Sequence, residues 1–533
     1  MSYRNQQAFE HEPVTRRGQA GSRFASEEFS APNEFDFPAT RFETDEEDAR
    51  NFNSENPHKP RTAATRIAAA RTEKSKPATA ERAEKDESWI VKRGHLFSYI
   101  GIFLFTFVLY FRPYELFPQL SAFSSMAMVM ALLTLSIYIP SQFTLEGNLT
   151  ARPREVNLLL LLTLCALASI PFGIDPAEGW ATFNDSYVKA VLMFIVMVNV
   201  VRTEWRLKGL IWISLGVGCL LSLNAIDNFR AGNFTVEGYR VEGNLGGMFG
   251  NPNDMALHLV TMIPLAVALM LTARNVAVKA LYAACAALMM AGTVVTFSRG
   301  GFLGLVFSGI LMAWKFGRKN RLPVFAVCLL IFAAFIAFAP GGYGQRLLSL
   351  FNSNLDAVGS SSARRELLIH SIKVSLRHPL FGVGMGGYHI MSPQNHVSHN
   401  AYTQVAAELG MAALAFYTMF IVTPLKRLWQ IERETFDMRR TSLFCYLAIG
   451  MQASLVAYMV GSFFASVAYQ WYVYYLVAYA IALRRIYDIE HGAEKERALA
   501  GAEESQASGL PARESGQATE TGGIGPKLER AAG

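Results

Sequence analysis

The sequence predicts an all-α polytopic membrane protein of about 12 transmembrane helices, with both termini cytoplasmic and one large outer loop. Three observations predict it. The chain has 533 residues, 51% of them hydrophobic and only 17% charged, where soluble globular proteins carry about 25%. The apolar residues fall into runs near the ~20 residues that cross a bilayer. Lys and Arg gather on alternate loops between those runs. A soluble enzyme and a single-span receptor are both excluded. The net charge of +6 is spread over short loops, so no nucleic-acid partner is expected.

Residues 1–94 hold 17 acidic and 16 basic side chains with few aliphatics, and read as a disordered polar cytoplasmic tail. Within them the Ala-rich stretch Arg61–Lys85 reads as a transient helix at most. No apolar segment lies near Met1, so the first span is expected to act as its own insertion signal. Spans follow at about 95–111, 121–139, 156–170, 187–201, 207–226, 253–272, 278–297, 301–316, 322–339, 401–423, 442–464 and 468–484. Residues 95–485 thus form the membrane domain, and 486–533, rich in Ala, Gly, Glu and Ser, read as a second polar cytoplasmic tail. All five cysteines lie inside apolar runs, so neither a disulfide framework nor a Cys metal site is expected.

Loop charge sets the orientation. With both termini inside, the cytoplasmic loops hold 16 Lys and Arg, while the short outer loops hold four: Arg112, Arg230, Arg240 and Arg299. Those four, and the outer loop 340–400, need an explanation of their own.

That loop carries five of the ten histidines (His370, His378, His389, His396, His399) and five Lys/Arg against two acids. Ser360-Ser361-Ser362-Ala363-Arg364-Arg365-Glu366 opens a predicted helix running to about Leu376. Its stripe Leu368, Ile372, Leu376 suits the bilayer surface. Arg364 and Arg365 are then expected in the first turn, where the macrodipole disfavours cations. Either they hold a bound anion, or they hold lipid headgroups and Glu366. Pro379 ends the helix, and Gly382, Gly384, Gly386 and Gly387 allow a tight return. Ser398-His399-Asn400-Ala401-Tyr402 then leads into span ten. His399 is either a proton acceptor or an interfacial cap. Glu408, nine residues on, points away from it on a regular helix. A metal on His389, His396 and His399 lacks a fourth ligand at usual spacing. Arg299, in a turn with almost no loop, faces headgroups or a buried anion. Arg240 faces a substrate or pairs with Glu237 or Glu242, and Asn253 or Asp254 caps span six.

Phe249-Gly250-Asn251-Pro252-Asn253, Ser298-Arg299-Gly300, His378-Pro379-x-x-Gly382-x-Gly384 and His399-Asn400-x-Tyr402 through Glu408-x-Gly410 follow one another in this order. With the twelve spans and the outer loop after the ninth, they resemble the O-antigen ligase and polymerase superfamily over about residues 95–485. The resemblance implies a GT-C-like transferase in the bacterial cytoplasmic (inner) membrane, its active site facing the periplasm. It implies transfer of a glycan from an undecaprenyl-diphosphate-linked donor to a lipid-core, glycan or protein acceptor, without metal or other cofactor. On this chain the implied catalytic residues are Arg299, Arg364 and His399. Arg240, Arg365, Asn251, Asn400 and Tyr402 are the substrate-binding candidates. The chemistry agrees with it. A diphosphate leaving group needs cations where negative charge develops, and an acceptor hydroxyl needs a base. The long polar N-terminal tail departs from the ligases. A transporter would instead line its spans with ionisable residues, and mid-span positions here hold almost none.

Overall fold

A computed structural model describes residues 94–508, apart from 118, 121–124, 235, 237, 244, 319–320, 349–359 and 439–441. The predicted N-terminal tail thus lies outside the described residues except for Gly94, whereas the predicted C-terminal tail is described as far as Ser508, where it is helical and not disordered as expected. Those described are helical, with no strand among them beyond one isolated bridge, Val236 with Arg240.

The principal helices are α1 (Leu96–Phe111), α2 (Met126–Glu146), α3 (Arg154–Ser169), α4 (Val188–Val200), α5 (Glu204–Ala231), α6 (Pro252–Thr272) and α7 (Val276–Val295). After them come α8 (Arg299–Phe316), α9 (Arg321–Phe338), α10 (Ser360–Arg377), α11 (Ala401–Leu409), α12 (Met411–Glu434), α13 (Leu443–Gly461) and α14 (Trp471–Ser508). Among the described residues, eight helical segments are long and apolar enough to cross a membrane. They correspond to predicted spans 1, 2, 4, 5, 6, 7, 10 and 11. The remaining four predicted positions are occupied by α3, α8, α9 and α14.

Three boundaries differ from the prediction. Span four starts earlier: Asp175 caps a helix Pro176–Thr182 that runs through a π turn, Phe183–Tyr187, into α4. Span ten is two helices, because Gly410 adopts φ +92° between α11 and α12. A side chain there would place its Cβ 2.3 Å from the Leu380 carbonyl oxygen, so only glycine fits. Finally, α14 continues past residue 485 to Ser508.

The core is built around α6 and α13, which are buried along most of their length and pack on each other. Small residues allow the approach: Gly450 lies against Ala268 and the Pro264 carbonyl. By contrast α2 and α7 are mostly exposed, and α9 presents Leu322, Phe325 and Leu330 outward. Apolar side chains on the outside of a helical bundle match a lipid environment.

Ion pairs concentrate at the bundle end that carries Glu146 and Glu432. Glu146 takes both Arg202 and Arg485, and buried Glu432 takes Lys315 and Arg318. Four cations of predicted cytoplasmic segments thus serve as structural partners at one end. Arg240, Arg299 and the 360–400 segment stand at the other.

Candidate active site

Three chain segments meet at that other end. The first is the Ser298-Arg299-Gly300 turn. Ser298 caps α8, its Oγ accepting from Gly301 N at 3.2 Å, and Arg299 is the first helical residue, buried. A cation at this N-terminus opposes the macrodipole, which an anion beside it would reverse. Phe297, just before the cap, has φ +52°, a strained state for a bulky residue that costs on the order of 1–3 kcal/mol.

The second segment is the approach to α6. Arg240 is buried, and its Nε donates to the Thr296 carbonyl at 3.0 Å. Its Nη2 donates to Asn253 Oδ1 at 2.8 Å, the same oxygen that accepts from Ser298 Oγ at 3.0 Å. Arg240 therefore ties the α5–α6 connection to the turn that carries Arg299. Asn251, rather than Asn253 or Asp254, caps α6, its Oδ1 accepting from Asn253 N at 2.8 Å with Pro252 as the first helical residue. The expected Asn253 cap fails because its oxygen is engaged by Arg240 and Ser298.

The third segment is the outer loop. The predicted helix is α10, but it begins at Ser360, so Arg364 and Arg365 are its fifth and sixth residues. They stand past the first turn, where the dipole effect fades. Leu367, Ser371 and Val374 face inward, while Ile372 and Leu376 of the predicted stripe are exposed, as a bilayer-surface face requires. The glycine-rich return is strapped to α11: Val383 N donates to Ala407 O at 2.8 Å and Gly384 N to Glu408 O at 3.1 Å. Gly382, at φ +66°, lies so close to the Glu408 backbone that a Cβ would sit 2.3 Å from its carbonyl carbon. Tyr388 closes the motif on α10, its hydroxyl donating to Leu367 O at 3.0 Å.

His399 stands immediately before Asn400, the cap of α11, whose Oδ1 accepts from Tyr402 N at 2.9 Å and Thr403 N at 3.0 Å. His399 itself is half-buried with φ +51°. Burial lowers its pKa from 6.5 to about 3, and the charges of Arg364 and His396 push the same way. The imidazole is thus held neutral, with Arg364 close enough to act on it. Asn400 Nδ2 is buried with no hydrogen-bond partner among the described residues. Tyr402 Oη donates to Met459 O at 3.1 Å, tying α11 to the end of α13. Arg365 is exposed. Glu408 is buried against the backbone of Gly386 and Tyr388, so it clasps the loop and does not orient His399.

The link between the Arg299 and His399 regions is the short turn Ser462–Phe464. Gly300 fits against Phe464, and Ser462 Oγ reaches Tyr402 Oη at 3.5 Å. Ser398 Oγ also meets Ser466 Oγ at 3.2 Å. The predicted spans leave a break at 465–467, but that this turn links the two regions was not predicted, nor was the shared acceptor Asn253. For Asn253 the signal was its place in the Asn251-Pro252-Asn253 motif; for the link there was none. Among the described residues no three His, Cys, Asp or Glu side chains converge as metal ligands.

Fold and site define a polytopic helical membrane protein with cations and a neutral imidazole gathered at one end of the bundle. Residues 283–418 match the family model described as O-antigen ligase. The match covers Arg299, Arg364, Arg365, His399, Asn400 and Tyr402, and supports the O-antigen ligase superfamily read from the short motifs. It supports, in general terms, an enzyme of O-antigen ligase or polymerase-type glycan transfer. No curated protein matches the chain.

Proposed function

We propose that the protein transfers a glycan from undecaprenyl diphosphate to an acceptor hydroxyl on the outer face of the bacterial cytoplasmic membrane, as an O-antigen ligase does. The observation that carries this reading is that one family match spans all three predicted catalytic residues, two of which interact electrostatically. In the reaction the acceptor oxygen bonds to the anomeric carbon while the bond from that carbon to the diphosphate oxygen breaks. The hydroxyl proton passes to His399. The pair of electrons leaves with undecaprenyl diphosphate, whose growing charge is met by Arg299 and Arg364. No metal or other cofactor is required by this scheme. Arg240, whose hydrogen bonds hold the Ser298-Arg299 turn, acts on the donor through Arg299, while Asn251 and Asn400 fix helix starts beside it.

The same chemistry serves a polysaccharide polymerase or a protein O-oligosaccharyltransferase, which differ only in acceptor. Glycan profiling of a deletion strain separates them. Loss of long glycan from its acceptor, with lipid-linked polymer accumulating, is the ligase outcome. Single repeats remaining on the acceptor are the polymerase outcome, and loss of glycan from protein alone is the third. In the complemented strain, Arg299→Ala, Arg364→Ala and His399→Gln should each remove transfer by about a hundredfold or more. The Lys variants should rescue poorly if the contact is a planar fork to phosphate. Normal glycan from all three variants would overturn the mechanism.

A further inference from the structure

Asn253 is engaged on one side of its side chain only. Its backbone N–H donates to Asn251 Oδ1 at 2.8 Å, within the cap of α6. Its Oδ1 accepts twice, from Arg240 Nη2 at 2.8 Å and from Ser298 Oγ at 3.0 Å. Ser298 Oγ itself accepts from Gly301 N at 3.2 Å, so its single hydroxyl proton is the one given to Asn253. These partners settle which way round the amide lies. A guanidinium carries five N–H donors and no acceptor, so the atom that faces Arg240 is the oxygen. The nitrogen, with its two N–H groups, then points the other way. Among the described residues none accepts from Nδ2, and the atom is not shut off from the surface, the side chain being half-buried.

The neighbours of those two donors give them a use. Ser298 directly precedes Arg299, the buried first residue of α8. Arg240 is buried too, and its guanidinium rests on the Asn253 oxygen. A cation at the amide oxygen draws electron density from the nitrogen, and hydrogen bonds joined in such a chain strengthen one another. Both N–H groups are therefore better donors than those of an ordinary asparagine, and the positive charge beside them favours an anionic acceptor. A carboxylate at this position would accept from Arg240 and Ser298 equally well. It would replace both outward donors with a charged acceptor. Asparagine satisfies the bonds on one side and still donates on the other.

We propose that Asn253 binds the lipid-linked donor directly, Nδ2 donating to a phosphate oxygen of the diphosphate held at Arg299. The first asparagine of the motif, Asn251, uses its oxygen to cap α6, and the contact falls to the second. This assignment rests on the proposed function and adds a residue to it: Arg299 brings charge to the diphosphate, and Asn253 brings a neutral donor of fixed direction.

The test is equilibrium binding of undecaprenyl diphosphate, without its glycan, to the purified full chain in detergent. A phosphate contact predicts that Asn253→Ala weakens binding by about tenfold and Asn253→Asp by about a hundredfold, because the introduced carboxylate also repels the ligand. A purely structural asparagine predicts the opposite order, since Asp keeps both acceptor bonds and Ala keeps neither. Thermal melting shows which variants are folded, and Ala tests the contact by itself if Asp lowers the folded yield. A folded variant of either kind with wild-type affinity, or Ala binding more weakly than Asp, would overturn the proposal. So would slower transfer with unchanged affinity for undecaprenyl diphosphate, which would move the contact from phosphate to glycan. Arg299→Ala separates this proposal from the reading beneath it. Binding lost there but normal in Asn253→Asp would sink the Asn253 contact alone, whereas no binding by the wild type would sink the diphosphate-donor reading and the contact with it.

Discussion

Replacing His396 with glutamine should move the acid limit of transfer upward, and the wild-type limit should already lie far below that of an ordinary histidine. The reasoning starts from His399, whose pKa is lowered from 6.5 to about 3 by burial first, then by Arg364, then by His396. A lowered histidine pKa means that the neutral form, the one able to accept a proton, persists as pH falls until about 3. At pH 5 a base of ordinary value 6.5 is only about 3% neutral, a loss of about 30-fold in rate. His399, at about 3, is about 99% neutral there. The profile of kcat/KM, which reports the free enzyme, should therefore stay flat within about twofold from pH 8 to pH 5. His396→Gln removes one source of positive charge and should shift the acid limb up. Arg364→Gln should shift it further, on top of its loss in rate. A bound diphosphate adds negative charge beside the imidazole, so the limb of kcat should lie above that of kcat/KM. The assay is transfer from purified lipid-linked donor across this pH range. A wild-type limb near 6.5, or a limb that moves down in His396→Gln, would refute the role given to His399's surroundings.

Further outcomes are expected. Glu432→Ala strands Lys315, which is 3% exposed and ion-paired to it; removing one partner of such a pair costs about 3–5 kcal/mol, read as a lower Tm in detergent. Gly410→Ala combines a φ of +92° with a Cβ 2.3 Å from the Leu380 oxygen, so the folded yield should collapse, while Met411→Ala at the exposed neighbour should not change it. For topology, a thiol placed by Val397→Cys should react with an impermeant reagent in intact spheroplasts, and one placed by Val276→Cys only after lysis. The reverse pattern would invert the orientation read from loop charge.

What the sequence determined alone was local. Helices were legible because runs near membrane length of apolar residues have no other way to satisfy their backbone in lipid. The start of α8 was legible as a tight turn, and the end of α10 as a proline stop, because both are set by residues within a few positions of each other. Arg299 stood out because Lys and Arg are rare on the short outer loops, Arg364 because a cation was expected in a helical first turn, and His399 because an imidazole precedes span ten on the outer side. The tertiary structure decided everything that depends on which helix faces which. In lipid both faces of a span are apolar, so hydropathy does not say that α6 and α13 are central while α2 and α7 are peripheral. Arg240's partners, Thr296 and Asn253, lie 56 and 13 residues away, and no spacing rule predicts them. The break at Gly410 follows from the close passage of Leu380, not from a local turn signal. The neutral state of His399 is likewise a product of assembly. Burial and the approach of Arg364, thirty-five positions earlier in the chain, exist only once α10 and α11 have packed together.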